Sequence, residues 1–129
     1  MILVDSSVWI DYFNGNTTVA SEKLDSILGV QPVCLGDLIL TEVLQGFKND
    51  TDFTIAKNLL NTLPVYTLLG HEMSLKSVDN FRLLRKRGVT VRKTIDVIIA
   101  TYCIVNNKIL LHSDKDFLPF QEHLGLQTI

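Results

Sequence analysis

Ile2-Leu3-Val4-Asp5-Ser6-Ser7-Val8-Trp9-Ile10-Asp11-Tyr12-Phe13 opens the chain and decides its fold class. Its first three residues are apolar without alternation, the pattern of a short strand buried on both faces. Asp5 stops that run. Ser6 or Ser7 is placed to cap a helix carrying Val8, Trp9, Ile10, Tyr12 and Phe13, which Asn14-Gly15-Asn16 ends. A strand that passes directly into a helix belongs to a βαβ arrangement.

The same alternation continues outward. A helix is expected from Val19 to Leu28, then a strand at Pro32-Val33-Cys34-Leu35. Asp37 is expected to cap a helix through Leu38–Leu44 that Gly46 ends, and Asp52 to cap the next one, through Leu60. Pro64–Leu69 reads as a third strand, and Glu72 to Arg87 as a long amphipathic helix closed by Gly88. Thr94 is expected to cap a helix apolar on nearly every side, from Ile95 to Val105. Such a helix belongs against the middle of a sheet. Ile109-Leu110-Leu111 reads as a fourth strand and Leu126–Ile129 as a short fifth. The expectation is an α/β fold: a three-layer α/β/α sandwich with a mainly parallel sheet, as one domain over residues 1–129.

Composition excludes several classes. With 47% hydrophobic and 20% charged residues, the 129-residue chain is no disordered tail. It has no apolar stretch long enough to span a bilayer, and no basic region precedes the first apolar run, so neither a membrane protein nor a secretory signal is expected. Cys34 and Cys103 lie in apolar runs and read as buried thiols of a reducing compartment, which points to the cytoplasm. Net charge is only −2, yet six of the twelve Lys and Arg residues fall between Arg82 and Lys93 with no acid among them. Part of that segment suits a helix C-terminus. Arg92 and Lys93 lie beyond Gly88 and form a candidate contact for a phosphate backbone.

Of fourteen acids, five stand beside the expected core. Asp5 follows the first strand. Asp114 and Asp116 follow the fourth, in Leu111-His112-Ser113-Asp114-Lys115-Asp116-Phe117. Glu42 lies within the helix after the second strand, and Asp96 in the first turn of the most apolar helix. Burying a lone carboxylate costs several kcal/mol, roughly, even after relaxation. Each acid has an ordinary explanation as a turn or dipole partner, but a shared cation accounts for all of them together. Oxygen ligands select hard ions such as Mg²⁺ or Mn²⁺, and no His/Cys spacing offers zinc a site. With such an ion, hydrolysis of a nucleic-acid backbone is the natural reaction class. A small phosphoacceptor switch domain, also doubly wound with acids at strand ends, is the alternative. Against it, a single acid follows the first strand and nothing acidic follows Pro64–Leu69.

The motifs Asp5-Ser6-Ser7-Val8-Trp9-Ile10-Asp11, Thr41-Glu42-Val43-Leu44-Gln45-Gly46, Thr94-Ile95-Asp96-Val97-Ile98-Ile99-Ala100 and Ser113-Asp114-Lys115-Asp116-Phe117 resemble, in order and spacing, the four acidic motifs of PIN domains. The resemblance covers essentially the whole chain. It implies an Mg²⁺- or Mn²⁺-dependent endoribonuclease in which Asp5, Glu42, Asp96 and Asp114 are catalytic metal-binding acids. Asp116 is implied as a further ligand, and Ser6 as a residue orienting ligands or substrate. The single-domain form resembles VapC-type toxins, which implies an RNA substrate, a VapB-type antitoxin and a homodimer. A catalytically inactive PIN-like binding module is disfavoured by the complete acid set. His112 stands where many members carry Thr or Ser; packing at a strand end and contact with phosphate are both open to it. Trp9, Phe13, Leu24 and Leu28 are core, dimer or antitoxin contacts.

Overall fold

A computed structural model describes residues 1–129. Four strands, β1 (Ile2–Val4), β2 (Val33–Gly36), β3 (Val65–Tyr66) and β4 (Ile109–Leu111), form one parallel sheet in the order β3-β2-β1-β4. Ile2 pairs with both Val33 and Ile109, so β1 is central. Successive side chains of a strand point to opposite faces. Leu3 and Val4 are both fully buried, so both faces of the sheet are covered, as in a three-layer sandwich.

The covering helices form two groups. In one, α1 (Ser6–Asn14) packs on α2 (Val19–Ile27) and α3 (Asp37–Gln45), and α4 (Asp50–Leu60) packs on α3. In the other, α5 (His71–Lys86) packs on α6 (Thr94–Val105) and on α7 (Leu118–Leu124). Every residue of α6 from Asp96 to Cys103 is buried, which fulfils the expectation for the helix without a polar face. No helix is long and apolar enough to cross a membrane.

The differences from expectation lie in caps and edges. β3 covers only Val65 and Tyr66, because an edge strand exposed at Val65 is weakly held. Leu126–Ile129 makes an isolated bridge, Leu110 to Thr128, rather than a fifth strand. The short α7 is not among the expected elements, although Pro119 in its first turn and Gly125 just beyond its end are helix start and stop signals. The first-turn donors of α1 are met by Asp5, not by a serine. Asn49, not Asp52, caps α4. Lys93 holds the cap position of α6 without a side-chain bond, so Thr94 is its first residue and not its cap.

Asp37 likewise begins α3 instead of capping it, and its Oδ1 accepts from the N–H groups of both Leu38 and Leu68. This draws the chain after β3 onto the end of β2. Leu68 consequently presses on Gly36, where a Cβ would overlap its side chain. Both residues are rigidly surrounded, so Gly36→Ala is expected to destabilise the protein by about 1–3 kcal/mol, the usual range for overpacking a core. Urea unfolding checks this; an unchanged midpoint would show that Leu68 moves aside freely.

Candidate metal centre

The sheet order sets where polar side chains gather. The chain runs outward from β1 to β2 and β3, then returns to place β4 on the other side of β1. The direction reverses between β1 and β4, and open parallel sheets bind ligands outside the carboxyl ends of the strands at that point. This order also removes the phosphoacceptor alternative, whose doubly wound sheet sets the third strand directly beside the first.

Asp5 leaves β1 at the reversal, with its N–H donated to the Leu111 carbonyl at 2.9 Å. It is buried, at 6% exposure, and Oδ2 accepts from Ser7 Oγ at 2.6 Å and Ser7 N–H at 3.3 Å. Glu42 arrives from the second turn of α3, where Ser6 Oγ donates to its Oε1 at 2.6 Å. The two adjacent serines thus hold two different acids. Ser6, expected from the motif to orient ligands or substrate, is bonded to Glu42. Ser7, to which the sequence reading gives no role, is bonded to Asp5 in the same way.

The remaining three acids form the tightest group. Asp96, Asp114 and Asp116 each offer an oxygen, and these lie within 4.8 Å of one another. Asp96 projects from the first turn of α6 and is 5% exposed. Asp114 Oδ1 accepts from the Asp116 N–H at 2.9 Å, which folds the residues after β4 into a single 3₁₀ turn and turns both carboxylates toward Asp96. Asp5 stands outside this group but near enough to raise the Asp96 pKa, whereas Glu42 is linked only to Ser6, the residue after Asp5. Asp116, only a supplementary ligand by motif, is one of the three closely grouped acids.

Two cations face this group from the loop before α6. Lys93 Nζ is 3.6 Å from Asp114 Oδ2, and Arg92 Nη2 is 3.6 Å from Asp116 Oδ1. Their side chains remain 59% and 74% exposed, so each reaches the acids from solvent. Asp96 first, and then Asp114, raise the Lys93 pKa and keep it charged. Neither cation meets the need of Asp96, whose Oδ2 is buried with no hydrogen-bond partner. Burial, then the neighbouring Asp5 charge, raise its pKa from 3.8 to about 6, with Asp114 and Asp116 adding to the rise and Lys93 opposing it.

The donor set fits a hard divalent ion. A buried, unpartnered carboxylate oxygen needs a counter-charge. Three carboxylates converging on one point supply part of an octahedral shell, and bound waters complete such shells around Mg²⁺. The cluster contains no His or Cys. Thiolate chemistry is absent as well, since burial pushes the Cys103 thiol up to about 12 and raises that of Cys34. Trp9 and Leu24 are fully buried and belong to the core, while Phe13 and Leu28 are half-buried at its margin.

The PIN domain family model matches residues 2–121. A VapC ribonuclease of Mycobacterium bovis is 29% identical over 130 residues, covering 99% of this chain and 97% of the relative. Ribonuclease VapC11 of Mycobacterium tuberculosis matches to the same extent. Among solved structures, VapBC2 from Rickettsia felis bound to a promoter DNA fragment superposes with a TM-score of 0.76 at 15% identity, over 100% of this chain and 98% of that one. VapBC-1 from nontypeable Haemophilus influenzae gives 0.72 at 18% identity, over 100% and 97%. At such identities the structures speak for the fold.

The Asp96 environment has a measurable cost. The folded protein holds its proton more tightly than the unfolded chain does. The stability this group contributes is therefore full below pH 4 and is lost as pH rises through about 6. A rise from 3.8 to about 6 corresponds to roughly 3 kcal/mol between the two protonation states. In chelator, Asp96→Asn is expected to flatten the loss of stability between pH 4.5 and 7 and to exceed the wild type at neutral pH. Parallel pH profiles from chemical denaturation would show that Asp96 carries no such strain.

Proposed function

The chain belongs to the PIN-domain family, and on that premise we propose that it is a metal-dependent endoribonuclease, the toxin of a VapBC-type toxin–antitoxin pair. The observation that carries the reading is the convergence of Asp96, Asp114 and Asp116, together with the buried Asp96 Oδ2 that has no hydrogen-bond partner. A buried carboxylate oxygen without a partner is costly, and a divalent cation would offset that cost. The names of the relatives, VapC ribonucleases matched over nearly their whole length, support the choice of RNA over other phosphodiesters.

Asp5, Glu42, Asp96, Asp114 and Asp116 are the proposed metal-binding acids, with Mg²⁺ or Mn²⁺ as the ion. When bound, such an ion lowers the pKa of a coordinated water and neutralises charge developing on phosphate oxygens. The chain supplies the rest. Ser6 fixes Glu42 and Ser7 fixes Asp5, so neither carboxylate has to be ordered when substrate arrives. Asp96 must either meet the ion or take a proton. Arg92 and Lys93, exposed and anchored only at 3.6 Å, can turn from the acids to the phosphates of a strand crossing the site.

The antitoxin is proposed to restrain the enzyme with a cation of its own, placed among the acids as Arg92 and Lys93 are now. Half-buried Phe13 and Leu28 remain available to an apolar antitoxin segment; buried Trp9 and Leu24 do not. A homodimer is also proposed. Val78 of α5 lines an apolar groove of about 360 Å³ shared with Val97 and Ile98 of α6, and Leu75 is a further exposed apolar residue of α5, a suitable contact face. The reaction is placed in the cytoplasm, where two free buried cysteines stay reduced.

RNA cleavage is expected to require Mg²⁺ or Mn²⁺ and to stop in EDTA. Asp96→Asn and Asp114→Asn are each expected to lower it by at least roughly a hundredfold, since a Lewis acid supplies several kcal/mol of transition-state stabilisation. Full cleavage in chelator would overturn the metal mechanism.

A second measurement addresses the loop cations. Replacing Arg92 and Lys93 together by alanine is expected to weaken RNA binding. The slope of log K against log salt should fall by about 0.7 for each single-strand phosphate that the pair no longer neutralises. An unchanged slope would assign both residues to the acids alone.

A further inference from the structure

The residues after β4 carry two of the three closely grouped acids, and their conformation is held by a side chain to which no role has been given. His112 is the first residue beyond β4. Its Nδ1 is 3.2 Å from the Asp114 backbone nitrogen, whose N–H is donated to it. That bond fixes the tautomer, since a ring nitrogen accepting a hydrogen bond carries no proton. The proton is on Nε2, which lies 3.1 Å from Gln121 Oε1 on α7 and donates to it. One face of the ring packs against Phe117, with centroids 4.9 Å apart, and Phe117 is fully buried. The ring is therefore held by a donor on one edge, an acceptor on the other and a core aromatic on its face.

The chain of bonds continues into the site. Gln121 orients His112, His112 receives the Asp114 N–H, and Asp114 Oδ1 receives the Asp116 N–H. We infer that His112 is a positioning residue. Its Nδ1 fixes the backbone at Asp114, so that the carboxylates of Asp114 and Asp116 are preset toward Asp96 before a divalent cation arrives. A backbone N–H turned toward the protein needs a partner. Here the residue two positions earlier supplies it. An arm of two charged ligands that repel Asp96 and each other would otherwise spread outward, and ion binding would have to reverse that spreading. Partners outside the ligand shell commonly alter metal affinity by about 10–100-fold through such orientation. The aliphatic side chains that would suit a mere strand-end packing site offer no acceptor to Asp114. This role rests on the reading of the carboxylates as metal ligands, but the backbone restraint itself exists without an ion.

The experiment therefore has two arms. In metal-free protein, NMR is expected to show the Nε2–H tautomer of His112 in the wild type. Amide exchange at Asp114 should be at least about tenfold faster in His112→Leu than in wild type. His112→Asn, whose Oδ1 takes the place of Nδ1 as acceptor, should restore slow exchange. Titration of the same proteins with Mn²⁺ by calorimetry is expected to give a Kd at least about tenfold weaker for His112→Leu, largely recovered in His112→Asn. Gln121→Leu, which frees the other edge of the ring, should fall between. Saturating Mn²⁺ should bring the RNA cleavage rate of His112→Leu close to that of wild type. Unchanged amide exchange in His112→Leu overturns the restraint outright. Faster exchange with an unchanged Kd overturns its link to ion binding. A wild type that binds no Mn²⁺ while the exchange pattern holds would overturn the metal reading and leave only the backbone restraint standing. If His112→Leu does not fold, His112→Asn and Gln121→Leu decide: loss of Mn²⁺ affinity equal in both would place the effect in packing and overturn the role of Nδ1.

Discussion

An ionised carboxylate beside a hydrophobic core must find a counter-charge or a proton, and this requirement governs the molecule around Asp96. The residue sits on a helix with eight consecutive buried positions, at the point where the parallel sheet reverses its strand order. No local device relieves it. Its Oδ2 has no partner, Lys93 offsets its charge only in part and pairs with Asp114 instead, and the remaining neighbours, Asp5, Asp114 and Asp116, are anions. Every other feature of the site answers this one. Ser7 holds neighbouring Asp5, Ser6 holds Glu42, a bent turn delivers Asp114 and Asp116, and two exposed cations pair with those two acids.

The fold tolerates that local conflict because its stability lies elsewhere. The core joins 28 buried residues through both faces of the sheet, and β1, the central strand, is buried throughout. A penalty of roughly 3 kcal/mol at Asp96 is a substantial part of the 5–15 kcal/mol typical of a domain, yet it need not exceed it. Binding of an ion to the folded state alone would recover that energy, so strain in the metal-free protein and affinity for the ion are two aspects of one arrangement.

Much of this is legible in the sequence, for physical reasons that differ by element. β1, β2, β4 and α6 stand out because complete burial leaves apolar runs without alternation, a signal that survives in a single chain. Asp5, Glu42, Asp96 and Asp114 stand out because acids are improbable at the ends and starts of such runs. The caps of α1, α3, α4 and α6 fall one to three residues from their expected places. Several polar residues at each junction can satisfy the same N–H groups, and only the geometry of the preceding strand chooses among them. β3 shrinks from six expected residues to two, since hydrophobic content does not say how much of an edge is paired. Trp9 and Phe13 lie in one aromatic cluster at helical spacing, yet only Trp9 is wholly enclosed, a distinction that spacing alone does not carry.

The part of the site that the sequence hides is the part made by backbone. Asp116 joins Asp96 and Asp114 because its N–H bonds to Asp114 Oδ1, and a turn of that kind has no compositional signature. The same holds for His112, whose neighbours in sequence suggest a packed strand end. It does pack there, on Phe117, and it also holds the Asp114 N–H. Packing and positioning are thus one act for this residue: the buried face of the ring determines where its Nδ1 points, and that in turn determines where the backbone of the acidic arm runs. A carboxylate's usefulness as a ligand depends on the angle at which the chain presents it. In this fold that angle is set less by the acids themselves than by the neutral side chains, Ser6, Ser7 and His112, that bond to them.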